Sequence, residues 1–167
     1  FPHWTFGLYQ RLNARIDEAI EAAERTVNHA HGSPFETGAA GALLSVTGNH
    51  TRGRQLIDEA LELNPRLPGW IHWGRAISDF GRGDFRTALA TSERFSLPDC
   101  FWDHLLRAAA LGHAGETEQA RGAVQQARRL RPELERRPER LIGMIVGERE
   151  TRTRILEGWE VAGSRAG

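Results

Sequence analysis

The sequence predicts an all-α protein made of stacked helix pairs, and three observations carry that expectation. Glycine-led turns recur as Gly48-Asn49, Gly83-Asp84 and Gly115-Glu116. Each is followed by apolar or small residues at i, i+3, i+4 and i+7, the period of a helix rather than of a strand. Small residues also return at a nearly constant interval: Ala19, Gly53, Ala88 and Ala120 lie 34, 35 and 32 residues apart.

Taken in order, the first pair is expected near residues 3–13 and 15–30, with Ala14-Arg15 at its turn in place of a Gly-Asp. The second covers about 35–47 and 50–63. Its second helix carries Gly53, Leu56, Ile57, Ala60 and Leu61 and stops at Asn64-Pro65, because proline disfavours helical geometry in the residue before it. The third covers about 69–81 and 84–95, with Phe85, Ala88 and Leu89, and Pro98 ends it early. The fourth covers about 101–113 and 117–130, with Ala120, Val124, Ala127 and Leu130, and stops at Arg131-Pro132. After Pro138, Leu141, Ile142, Ile145 and Val146 indicate a short helix that Gly147 breaks, and a last helix near 149–161 carries Ile155, Leu156 and Trp159. Twelve residues before each recurring small residue stand Gly7, Gly41, Ala76 and Ala108; seven after stand Thr26, Ala60, Phe95 and Ala127. Small side chains belong where paired helices cross closely, since bulk there would push them apart.

This spacing resembles the tetratricopeptide repeat (TPR), two helices and a turn in about 34 residues. The resemblance implies a right-handed α-α superhelix, a TPR solenoid of about four helix-turn-helix repeats (about 1–33, 34–67, 68–100 and 101–135). Residues 136–167 would supply C-terminal capping helices and a tail, because the last unit of a solenoid needs a polar outer face. The sequence departs from the repeat pattern at Phe95, where a small residue is expected, and at His31 and Cys100, which replace a terminal proline. Three stretches, Asn64-Pro65-Arg66-Leu67-Pro68-Gly69-Trp70, Leu97-Pro98 with Phe101-Trp102-Asp103-His104, and Leu111-Gly112-His113-Ala114-Gly115, are similar to the C-terminal TPR region of bacterial class III adenylate cyclase-type signalling proteins. That likeness implies a regulatory or scaffolding segment that recruits a partner. No cyclase motif accompanies it, so no catalytic activity is implied.

Composition narrows the function classes. Among 167 residues, Lys+Arg and Asp+Glu number 22 each, for a formal charge of zero. Such a balance argues against a general nucleic-acid binder, which needs a basic stripe to displace counterions, and gives no reason for attraction to an anionic membrane. The single cysteine, Cys100, forms no intramolecular disulfide, and no signal peptide or membrane-length apolar run stands in the sequence. A cytoplasmic location is therefore expected. The chain starts at Phe1 rather than Met, which reads as a fragment of a longer protein. Phosphate-binding loops, nucleophile elbows and dinucleotide fingerprints are missing, so neither an enzyme nor a cofactor is expected.

The first helix of each TPR unit lines the inner face, and the family's partner-contacting positions fall on Trp70, Trp73, Trp102, Trp4, Phe35, Phe80, Ile77, Leu105 and His113. Aromatic residues concentrate at binding hot spots because they bury much area at little entropic cost. The expected partner is a protein or peptide lying in an aromatic groove; the alternative is that these rings pack between helices. Two other readings stand beside it. The chain could associate with a second copy and lengthen the stack. Or a helical scaffold could bind a metal or small molecule, His72, Asp103 and His104 being the metal candidates; against this, no short-range ligand motif is present. Cys100 near a helix start is read as an ordinary loop cysteine rather than a reactive one. The run Arg128-Arg129-Leu130-Arg131 with Arg136-Arg137 could dock an acidic partner, but Glu133, Glu135 and Glu139 favour a solvated face.

Overall fold

A computed structural model describes residues 15–30, 32–94 and 97–164. The expected helix at 3–13, Trp4, Gly7, Ala14, His31 and Phe95 lie outside the described residues. Those described form helices and turns, with no strand among them. The helices are α1 (Ile16–His29), α2 (Pro34–Val46), α3 (His50–Leu63), α4 (Gly69–Gly81), α5 (Phe85–Arg94), α6 (Phe101–Ala114), α7 (Thr117–Leu130), α8 (Pro138–Ile145) and α9 (Arg149–Ser164). A 3₁₀ turn at Pro132–Glu135, not anticipated from sequence, joins α7 to α8.

Local chemistry explains the boundaries. Ser33 caps α2 by accepting from the Glu36 N–H at 3.4 Å, and Pro34 occupies the first turn, where its missing N–H costs nothing. The turn glycines Gly48, Gly83 and Gly115 hold φ of 96°, 83° and 78°, a left-handed conformation that glycine adopts without a Cβ clash. Asn64 and Arg131, each followed by proline, leave helical geometry with ψ of 93° and 86°, as a residue before proline prefers.

Small residues set the packing. Within the second pair, Ser45 and Gly41 meet Gly53, Gly41 also meets Ile57, and Gly38 meets Ala60. The two helices therefore run antiparallel. A Cβ on Gly41 would stand 2.8 Å from the Gly53 carbonyl oxygen, closer than real Cβ contacts allow. Between first helices the order is parallel: Gly38 meets Ile71, Gly74 meets Ala42, and Ser78 Oγ donates to Ser45 Oγ at 2.7 Å, 33 residues away. Ser45 Oγ in turn donates to the Gly41 carbonyl at 2.8 Å. This buried hydroxyl relay satisfies groups that would otherwise be costly to bury.

The C-terminal segment does more than end the stack. The Gly147 N–H donates to the Val46 carbonyl at 2.7 Å. Glu148 packs on Gly48, and His50 Nε2 lies 2.8 Å from Thr151 Oγ1. Further along α9, Arg154 donates to the Gly81 carbonyl, and His113 Nε2 donates to the Arg154 carbonyl at 2.8 Å. Gly112 and Gly158 bring α6 and α9 into backbone contact. Helix α9 thus touches the turn ends of the second, third and fourth pairs in succession. The main apolar core runs from Ala19 and Ala23 through Leu44, Phe80, Leu106 and Val124 to Ile142, Ile155 and Trp159, and a smaller cluster of Ala42, Ile57, Ala60, Leu67 and Ile71 lies beside it.

Candidate functional site

Helices α2 and α4 pack flank to flank, whereas α4 and α6 touch only marginally. The bulk each helix presents explains the difference. Toward α4, helix α2 offers Gly38, Ala42 and Ser45. The residues 35 positions on, in α4, are Trp73, Ile77 and Phe80. Such side chains are too bulky for a crossing as close as that of α2 on α4, and a hollow opens beside Trp73.

The hollow is an apolar cavity of about 480 Å³. Helix α2 contributes Phe35, Ala39, Ala42, Leu43 and Val46; α4 contributes Trp70, Trp73 and Gly74. Trp102 of α6 and the preceding Leu97 and Cys100 form the far side, and Met144 and Ile145 of α8 close it. Phe35 and Trp70 meet edge to face, with ring centroids 6.0 Å apart and planes at 88°, a favourable arrangement for aromatic quadrupoles. Phe35 is 38%, Trp70 37% and Met144 48% exposed, so these three make a rim open to solvent.

Asp103 secures the side that carries Cys100 and Leu97. It is buried, accepts from Ser92 Oγ at 2.5 Å and from the Leu97 N–H at 3.3 Å, and so ties the start of α6 to the loop before it. Burial raises its carboxyl above the ordinary range, against the pull of these hydrogen bonds and of Arg107. On the outer side, Asp79 is likewise pushed up by burial although Arg54 pairs with it and Arg75 stands near. Arg54 also reaches Asp58 at 2.7 Å, as does Arg75, which makes this a structural ion-pair network away from the cavity.

Of the nine residues expected in a groove, the structure brings Phe35, Trp70, Trp73 and Trp102 together around one cavity. Ile77, Phe80 and Leu105 require correction. They are 0%, 0% and 1% exposed and belong to the core between helices, so no partner reaches them. His113 also faces the chain itself: its ring stacks on Phe85 at 4.1 Å and its Nε2 is held by Arg154. Trp4 lies outside the described residues. Sequence reasoning missed Met144 and Ile145, which reach the cavity from a folded-back segment, and Leu97 and Cys100, which reach it from a loop rather than from the first helix of a pair.

The residues considered for a metal are otherwise engaged. His72 is buried, which lowers its imidazole basicity despite a hydrogen bond with the Leu67 backbone. Asp103 holds Ser92 and Leu97, and His104 Nε2 donates to the Pro98 carbonyl at 2.9 Å. Among the described residues no group of three potential ligands comes together, and no helix is long and apolar enough to cross a membrane. The chain matches no protein-family model, and no curated protein matches it.

Proposed function

We propose that the chain is a TPR-type interaction module, a regulatory or scaffolding segment that holds a protein or peptide partner by inserting the partner's apolar side chains into the aromatic cavity. The repeat reading is supported by the antiparallel second pair, the parallel register of α2 on α4 and the small residues at those two crossings. The observation that carries the binding reading is the cavity itself. It has the size of ligand sites, roughly 300–1,000 Å³, and a rim of two exposed aromatic rings, the side chains that dominate binding hot spots.

The cavity also limits how a peptide would bind. Apart from Cys100 and Gly74, its wall is aliphatic or aromatic. A peptide backbone drawn inside would leave amide groups unpaired at about 1–3 kcal/mol each. The partner's backbone therefore stays at the rim, and only side chains enter.

Selection from a random peptide library displayed on phage tests the reading. Peptides with bulky apolar residues should be enriched on the parent protein, and Trp70→Ala or Trp102→Ala should weaken them by about 2 kcal/mol. Unchanged affinity in folded variants removes the cavity as the site.

A further inference from the structure

The cavity does not end at Met144. That side chain also lines a neighbouring cleft of about 420 Å³ whose other walls include Arg131, Arg136, Arg137 and Arg140. A second connection runs through rings: Trp102 of the cavity lies 4.6 Å from the Phe101 ring, and the Arg131 guanidinium sits over Phe101 at 5.3 Å. Arg140 and Met144 are four residues apart on α8 and so share one face, and Arg137 stands at the helix start, lining the same cleft. The stripe passes from charge to hydrocarbon within two turns.

Glu133 also lines this cleft, so its positive charge is only partly neutralised locally. Glu133 faces Arg131 at 3.7 Å and Glu135 faces Arg128 at 3.8 Å. The exposed guanidinium groups of Arg136, Arg137 and Arg140 form no ion pair among the described residues. A hydrocarbon-lined hollow therefore opens beside three free cations. That combination selects a ligand with one apolar chain and one anionic end. An alkyl chain also suits the wall better than a peptide, since it brings no amide groups that need partners.

We propose that the cavity and the basic cleft form one site for a free single-chain anionic amphiphile, of the class of long-chain alkyl carboxylates. The chain lies between Trp70, Trp73 and Trp102, and the carboxylate pairs with Arg137 and Arg140 beside Met144. Guanidinium groups suit this role because their planar donors match a carboxylate. The inference rests on the cavity being the binding site and goes further in naming a ligand that competes there with a partner's side chains.

The test uses an uncharged dye, N-phenyl-1-naphthylamine, to report the cavity, and displaces it with probes below their self-association limits. Dodecanoate should displace it at least tenfold more effectively than dodecanol, and dodecyltrimethylammonium should be weaker still. Butyrate, with the same head and a short chain, should fail. Reversing the exposed Arg137 and Arg140 to Glu should abolish the preference for dodecanoate while leaving dye and dodecanol unchanged, which also certifies the fold. Equal displacement by dodecanoate and dodecanol overturns the proposal and leaves the cavity reading standing. So does binding of a Phe-Leu-containing acidic peptide without binding of dodecanoate, and so does binding to anionic phospholipid vesicles alone. If the dye itself does not bind, both readings fall.

Discussion

The seam between α2 and α4 and the gap between α4 and α6 both separate the first helices of successive helix pairs, yet one is closed and the other hollow. At the seam, Gly38, Ala42 and Ser45 let backbones approach, and Gly74 fits against Ala42 with no room for a Cβ. Thirty-five residues later stand Trp73, Ile77 and Phe80. The helix period is unchanged; only side-chain volume differs. Side-chain volume at such positions therefore bears on whether neighbouring helices close on each other or leave a cavity. On α6 the pattern turns small again: Ala109 and Gly112 admit the backbone of α9 at Gly158.

Breaking the tight crossings should have the largest effect. A methyl at Gly112 would overlap the Gly158 carbonyl oxygen, and one at Gly74 would stand 2.7 Å from the Ala42 Cβ. Gly112→Ala should cost about 3 kcal/mol, the upper part of the overpacking range, and Gly74→Ala somewhat less; urea unfolding measures both. Equal, negligible losses would show that these helices are not held so closely. Next comes Trp73→Ala, which should cost about 2 kcal/mol and enlarge the hollow. Hydrogen exchange should stay slow at the α2–α4 seam and quicken at α8, and the reverse pattern would place Trp73 in the seam. Ser78→Ala removes the donor to Ser45 at a cost of about 1 kcal/mol, measurable as a lower urea midpoint.

The smallest effect is a pH dependence carried by His50, where α3 meets the C-terminal segment, and by His72. Burial lowers the His50 imidazole basicity against the attraction of Glu148, while Arg154 and Arg82 reinforce the shift and Glu150 opposes it. The unfolded chain then binds the proton more readily, so stability present above about pH 6.5 is lost as pH falls below it. His72 shifts in the same direction through burial. The buried Asp79 and Asp103 act oppositely, since their raised carboxyls favour the fold as pH drops, but from the lower carboxylate range. Melting temperatures at pH 7.5 and 5.5 therefore read the histidines. His50→Asn should reduce the difference between them, and an undiminished difference would assign it elsewhere.

Much of this arrangement was legible in the residues. Turn glycines and residues before prolines marked the described helices to within about two residues, because those signals act through the local backbone. Phe35, Trp70, Trp73 and Trp102 were legible from repeat spacing. Ile77 and Phe80 were not separable from them, since neighbouring positions on a helix differ by only about 100° and a small rotation turns a groove residue into a core residue. The route of the C-terminal segment had no local signal. It depends on pairs such as His50 with Thr151, 101 residues apart, whose geometry no periodicity encodes. Met144 and Ile145 were missed for that reason.

Helix α9 alters how the protein comes apart. In a plain stack each unit leans only on its neighbours, and the ends can fray while the middle persists. Here the last helix is fastened at His50, Gly81 and Ala109 in turn, so helix pairs distant along the chain share one fastening. Peeling the terminus away exposes three pairs at once, which makes melting a single concerted event rather than a series of partial ones.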